Sequence, residues 1–252
     1  MNITTNNKII FLSDFHLGAP NHSESLIREK KVVAFLESIR HSASQIFIVG
    51  DIFDFWYEYK KVVPKGFVRL LGKLAELSDS GIQIHVFVGN HDIWMKGYFE
   101  NELNIFVHHQ PKEFNWNGKR FLIGHGDGLG PGDKGYKFIK KFFKNPVCQW
   151  LFGQIHPDLG IGLANYFSRK SREKTGASDE IFMGEKKEWL FIYCQEMLLH
   201  TPYDYFIFGH RHLPLDCKPG PNSRYINLGD WIRNFTYAEF TGNDVQLRKW
   251  ES

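Results

Sequence analysis

The sequence predicts an α/β protein: two packed sheets with flanking helices, an α/β sandwich interrupted by a helical insertion. Three observations predict it. Apolar runs of strand length recur along the 252 residues, at Ile9–Leu12, Ile46–Val49, Ile84–Val88, Phe121–Ile123 and Tyr205–Phe208. Between the first three lie Glu24–Ile39 and Phe67–Leu77, whose apolar residues recur at three-to-four spacing, as on one face of a helix. After Tyr205 the pattern shifts to short strands set off by Gly, Pro and Asn: Arg224–Leu228, Phe235–Phe240 and Val245–Trp250.

Each element has a physical reason. Strands that are apolar throughout must be buried on both faces, which requires a largely parallel sheet covered by helices. The stretch from Gly128 to about Gly184 breaks the rhythm. It opens with the turn-rich GLGPGDKG and continues as helix-like segments at Tyr136–Phe143 and Pro146–Ile155. With no repeats and no low-complexity linker, the chain reads as a single domain, residues 1–252, carrying a helical cap at about 128–184.

Composition excludes several classes. Hydrophobic residues make up 42% and charged residues 23%, so neither a disordered nor a fibrous protein is expected. No apolar run reaches the ~18 residues that would span a bilayer. The stretch before Asp14 lacks the basic n-region and small-residue cleavage site of a signal peptide. Three scattered cysteines (Cys148, Cys194, Cys217) make neither a disulfide framework nor a CxxC site, so a reducing, cytoplasmic location is expected. Charge is unevenly spread. Lys134 to Lys174 holds nine Lys/Arg against two Asp/Glu, and also Phe138, Phe142, Phe143, Trp150, Phe152, Tyr166 and Phe167. That combination suits an anionic amphiphile, an anionic membrane surface or a nucleic acid, set against the plainer reading of a solvated helix face.

The five apolar runs end alike. They lead into Ser13-Asp14-Phe15-His16, Gly50-Asp51-Ile52-Phe53-Asp54, Gly89-Asn90-His91-Asp92, Gly124-His125-Gly126-Asp127 and Gly209-His210-Arg211-His212. Ligands of α/β sheets bind at the carboxyl ends of strands, so these loops are expected to converge. The convergent donors are Asp14, His16, Asp51, Asn90, His125, His210 and His212. This oxygen and imidazole set suits Mn²⁺, Fe, Zn²⁺ or Co²⁺. Seven donors exceed one tetrahedral ion and suit two ions sharing a carboxylate, a device for hydrolysing phosphate esters and anhydrides. Glycine before a ligand would let the backbone turn without crowding the ions. A single DxH or GD carries no information; five such motifs in order do. His22, His41, His85, His108, His109, His156 and His200 lie outside these motifs and are expected to be structural.

The order DxH, GDxxD, GNHD, GHGD, GHRH resembles the calcineurin-like metallophosphoesterase superfamily from Asp14 to His212. The resemblance implies that Asp14, His16, Asp51 and His212 hold the first ion, and that bridging Asp51, Asn90, His125 and His210 hold the second. His91 would lie over the phosphate as the catalytic histidine, oriented by Asp54. HGDGLGPGDKGYKFIKKFFKNPVCQWLFG, YFSRKSREK and INLGDWIRNFTY further resemble the UDP-2,3-diacylglucosamine hydrolases. This implies manganese-dependent cleavage of a nucleotide-activated diacylglucosamine to 2,3-diacylglucosamine 1-phosphate and UMP, at the cytoplasmic face of the inner membrane. Asp133, Tyr136 and Ser171 would then contact the substrate, together with Asn90, His91 and His210. Thr175 and Ser178 stand where that family has Asn and Lys, and His91 stands where its best-known members have Arg. Three alternatives remain at this point: a phosphodiesterase or phosphatase for a smaller soluble ester, a nuclease using the aromatic and basic cap, and a metal-free scaffold. No nucleic acid and no obligate protein partner are expected.

Overall fold

Strands and helices alternate along the first half of the chain. They run β1 (Lys8–Leu12), α1 (His22–Ile39), β2 (Ala43–Val49), α2 (Val68–Asp79), β3 (Gln83–Phe87), α3 (Tyr98–Leu103), β4 (Phe106–His108), β5 (Lys112–Trp116) and β6 (Lys119–Gly124). Three consecutive helices follow: α4 (Lys134–Phe143), α5 (Pro146–Gly153) and α6 (Pro157–Asp179). Then come α7 (Trp189–Leu198), β7 (Tyr205–Phe208), β8 (Pro214–Gly220), β9 (Ser223–Leu228), β10 (Thr236–Phe240) and β11 (Val245–Lys249). This is a computed structural model; it describes residues 3–131, 134–179 and 181–251, and the side chains of 134–136 and 171–179 are outside the description.

The strands form two mixed sheets, ordered β11-β10-β1-β2-β3-β4 and β5-β6-β7-β9-β8. Within them β1-β2-β3-β4 and β6-β7-β9 are parallel, while β10, β11, β5 and β8 add antiparallel. The continuous apolar strands are explained by burial on both sides. In β2, Phe47 and Val49 face the second sheet, meeting Phe121, Ile123 and Ile207, while Ile46 and Ile48 face α1 and α2 through Phe35, Leu36, Leu70 and Leu74. Beneath the second sheet, α7 buries Leu190, Phe191 and Cys194 against Leu122, Phe206 and Tyr225. The result is a helix–sheet–sheet–helix sandwich, with each fully buried Phe, Leu or Ile contributing about 1.5–3 kcal/mol.

The strands absent from the sequence reading, β4, β5 and β8, are all at sheet edges. Edge strands are short or polar and may carry proline, as β8 does at Pro214 and Pro219.

The helices α4–α6 stand between β6 and β7 and dock on the loops after β2 and β3. Trp94 Nε1 donates to the Phe143 carbonyl at 2.8 Å, and Tyr57 Oη donates to that of Gln149 at 2.7 Å. Phe152 packs against Phe55, Tyr57 and Trp94. Two lysines of α4 turn onto the chain itself. Lys137 donates to the Gly130 carbonyl at 2.6 Å, and Lys140 to that of Asp127 at 2.8 Å while pairing with its carboxylate. Phe138 (75% exposed) and Phe142 (57%) point outward instead. Among the described residues no helix is long and apolar enough to cross a membrane.

Candidate metal centre

The five loops do converge, and their backbone is strained where they do. Asp14, His16, Asp51, His210 and His212 adopt positive φ of 57°, 44°, 53°, 68° and 52°. Such left-handed backbone is uncommon for side-chain-bearing residues and persists only when the surroundings over-determine it. Here loop-to-loop hydrogen bonds do so. Asp14 N–H donates to the Gly50 carbonyl (3.1 Å), His16 N–H to that of Asp51 (2.9 Å), and Trp231 N–H to that of Asp14 (3.1 Å). Buried Arg28 of α1 donates through one Nη1 to the carbonyls of Phe15, His16 and Ala19 at 2.9–3.1 Å.

The donor atoms crowd around Asp51. Its Oδ2 lies 3.2 Å from His125 Nε2 and 3.6 Å from His16 Nε2, while its Oδ1 accepts the His91 N–H at 3.0 Å. On one side, Asp14 Oδ1 lies 3.2 Å from His212 Nε2 and 3.7 Å from His16 Nε2. On the other, His125 Nε2 lies 3.2 Å from Asn90 Oδ1, and the ring of His210 packs edge-on to that of His125. Asp14-His16-His212 and Asp51-His125-His210 each present three donor atoms within 4.8 Å of one another.

These residues fit divalent cations. Asp14 Oδ1 is fully buried and has no hydrogen-bond partner among the described residues, an arrangement that costs free energy unless something positive meets it. The unliganded electrostatics show the same frustration. Burial would raise the Asp14 and Asp51 carboxyls, but surrounding imidazoles hold both well below the usual range. Burial would lower His125, yet Asp51 and Asp14 drive it up to about 10. Burial and the charge of His125 push His210 down to about 4. One imidazole protonated beside a neutral one is what a cluster of donors shows when only protons can neutralise its carboxylates.

Two of the glycines before the ligands act by leaving space, while Gly50 also turns the chain, at φ 90°. Gly89 and Gly209 have ordinary φ, but a Cβ at Gly89 would lie 2.1 Å from Asp51 Oδ1, and one at Gly209 would lie 2.5 Å from Asp14 Oδ2. Only the absence of a side chain lets the two carboxylates sit there.

His91 stands over this cluster. Burial lowers it to about 4, so it is neutral near pH 7 without ligands. Its Nδ1 meets the Asp54 backbone carbonyl at 3.0 Å, while the Asp54 carboxylate is 3.7 Å from His91 Nδ1 and 3.6 Å from His16 Nδ1. The main-chain oxygen of Asp54 thus makes the hydrogen bond to His91, while its carboxylate lies between two rings. With His16 and Asp51, His91 also forms a three-donor group of its own.

Asp133 lies outside the described residues, as do the side chains of Tyr136, Ser171, Thr175 and Ser178. Among the described side chains of α6, that of Ser168 reaches the site, its Oγ 3.2 Å from His91 Nδ1. Sequence reasoning missed further supporting groups. Asp92, fully buried, accepts from Ile52 N–H and Gly89 N–H at 2.8 and 2.7 Å, joining two loops; burial and Asp51 push its carboxyl up to about 7. Asp230 accepts the N–H groups of residues 232–234, and Asn234 Nδ2 donates to the His212 carbonyl at 2.9 Å. Their signals were present in GNHD and LGDW; Arg28 had none. Among the remaining histidines, His85 and His108 pair ring to ring at 3.0 Å between phenylalanines, away from the donors.

The family model described as calcineurin-like phosphoesterase matches residues 7–214. A protein named UDP-2,3-diacylglucosamine hydrolase, from Porphyromonas gingivalis, is 40% identical over 97% of this chain and 98% of its own. One of the same name from Histophilus somni is 27% identical over 95% and 99%. A solved phosphoesterase from E. coli, Yfce, is 13% identical over 96% of this chain and 92% of its own, with a TM-score of 0.47. The matched stretch takes in all five donor loops and the near-full-length relative takes in the helices above them, so the chain belongs to the calcineurin-like phosphoesterases and, within them, to the UDP-2,3-diacylglucosamine hydrolase family.

Proposed function

We infer that this chain hydrolyses the pyrophosphate of UDP-2,3-diacylglucosamine, releasing 2,3-diacylglucosamine 1-phosphate and UMP. The relatives supply the substrate, and one observation carries the chemistry: Asp51 stands between two donor sets, with a buried Asp14 oxygen that accepts no hydrogen bond among the described residues. Asp14, His16, Asp51 and His212 would hold one ion and Asp51, Asn90, His125 and His210 a second. Bound divalent cations would supply water activation near neutral pH and neutralisation of phosphoryl charge. Manganese is the ion this reading favours.

The chain's own residues do the rest. His91 faces the site as a neutral imidazole that can accept a proton when an anionic phosphate arrives, and then stabilise charge or protonate the leaving oxygen. The Asp54 carbonyl holds Nδ1, leaving Nε2 for that exchange. Ser168 brings α6 to the same ring. Residues 128–184 act in this reading as a cap on a single domain, whose exposed Phe138, Trp150, Leu159 and Phe167 would meet acyl chains or lipid at the cytoplasmic face of the inner membrane.

Turnover of UDP-diacylglucosamine beside bis-p-nitrophenyl phosphate, with Mn²⁺ and with EDTA, tests this. Mn²⁺-dependent cleavage of the lipid nucleotide far above that of the simple ester is the expected result. Preference for the simple ester would favour the small-substrate phosphodiesterase.

A further inference from the structure

One buried ion pair lies behind the site, and the chemistry above makes no use of it. Arg211, between the two histidines of the last loop, is 4% exposed, and Glu188, just before α7, is 2% exposed. Arg211 Nε donates to both Glu188 oxygens, at 3.2 and 3.0 Å, and Nη2 reaches the Ile181 carbonyl at 3.4 Å. The guanidinium lies 4.4 Å from the centre of the Trp189 ring, which in turn packs edge-on to His210. Glu188, Ile181 and Trp189 all belong to the segment by which the chain returns from α6 to the second sheet.

We propose that Glu188 and Arg211 are a positioning pair that fixes His210 and His212 as donors and ties the end of the helical insertion to them. Two arguments support the assignment. A buried pair adds little net stability over apolar side chains of equal volume, so stability does not account for it. It does fix a direction, because a guanidinium fork is satisfied by a carboxylate in few geometries. Direction is what this loop needs: His210 and His212 both hold left-handed backbone, and the residue between them is clamped from below. The far end of the insertion is tied in the same way, by Lys140 to Asp127 beside His125. Thus α4 is ionically joined to one donor loop, and the segment that follows α6 to another.

The proposal rests on the two-ion reading and has its own test. Full-length chain stripped with EDTA is titrated with Mn²⁺ by calorimetry, as wild type, Glu188→Gln, and the double variant Glu188→Met with Arg211→Met. The double variant removes both members of the pair together, and its fold is checked by circular dichroism in EDTA. Both variants should bind Mn²⁺ about 10- to 100-fold more weakly, as loss of groups that orient ligands does. The upward shift of the unfolding midpoint on adding Mn²⁺ should shrink in parallel. A pair that serves only the fold would lower the midpoint in EDTA and leave Mn²⁺ affinity and that shift at wild-type values, which would overturn the proposal. Wild type that takes up no ion would overturn the two-ion reading, and the pair's role with it.

Discussion

The sandwich and the helical insertion treat apolar residues in opposite ways. In β1 and β2 the Ile, Leu and Phe side chains are fully buried, divided between two cores. In α4–α6, Phe138, Phe142, Trp150, Leu151, Leu159 and Phe167 each expose more than half their surface, while Lys137 and Lys140 of α4 are folded onto the chain. The difference separates two jobs. The sandwich uses burial to hold strained loops under a cluster of donors; the insertion leaves apolar surface exposed, which the proposed function assigns to acyl chains or lipid. Soluble monomers rarely expose contiguous apolar patches of more than a few hundred Å² without a partner.

Breaking the rigid half should have the largest effect. Asp51→Ala removes the carboxylate shared by both donor sets, so activity on UDP-diacylglucosamine should fall by at least the ~10³-fold typical of losing one transition-state contact. Metal analysis should show fewer than two ions per chain; two ions retained would remove Asp51 from its bridging place. His91→Ala should lower turnover by roughly 10²–10⁴-fold with both ions retained. Its proximity to His16 and Asp51 sharpens that test, because loss of an ion would make His91 a ligand.

The insertion should respond differently. Phe138→Gln with Leu159→Gln, both on the exposed surface, should leave the unfolding midpoint within what ±0.5 kcal/mol allows. Turnover of the diacyl substrate should fall about tenfold, a loss of about 1.4 kcal/mol in transition-state stabilisation, with bis-p-nitrophenyl phosphate unaffected. Equal losses on both substrates would show that these side chains serve the site and not lipid.

The smallest effect lies in the sandwich, away from the donors. Burial lowers His85 and His108 from 6.5 to about 4. Between those values the unfolded chain binds more protons than the folded one, so stability is complete above about pH 6.5 and is lost as pH falls toward 4. Denaturant titrations across that window should show a shallower decline for His85→Leu with His108→Leu than for wild type. Parallel declines would mean the pair does not titrate with folding.

Much of the site was legible because its chemistry is local in sequence. Each donor follows a strand by one to four residues, so apolar runs and their punctuation located Asp14, His16, Asp51, Asn90, His125, His210 and His212 together. The edge strands β4, β5 and β8 were not legible, since β4 has only three residues, β5 is largely polar and β8 carries two prolines.

The sequence by itself determined the two-sheet class and the donor set, because strand periodicity and ligand chemistry are properties of neighbouring residues. Tertiary structure decided the rest. That Gly89 yields its space to Asp51, that Arg28 caps three carbonyls, that Glu188 clamps Arg211, and that α4 turns Lys140 onto Asp127 all depend on residues 9 to 38 positions apart meeting in space. An amphipathic helix carries two faces in its sequence, but only the surface it docks against selects which one is buried.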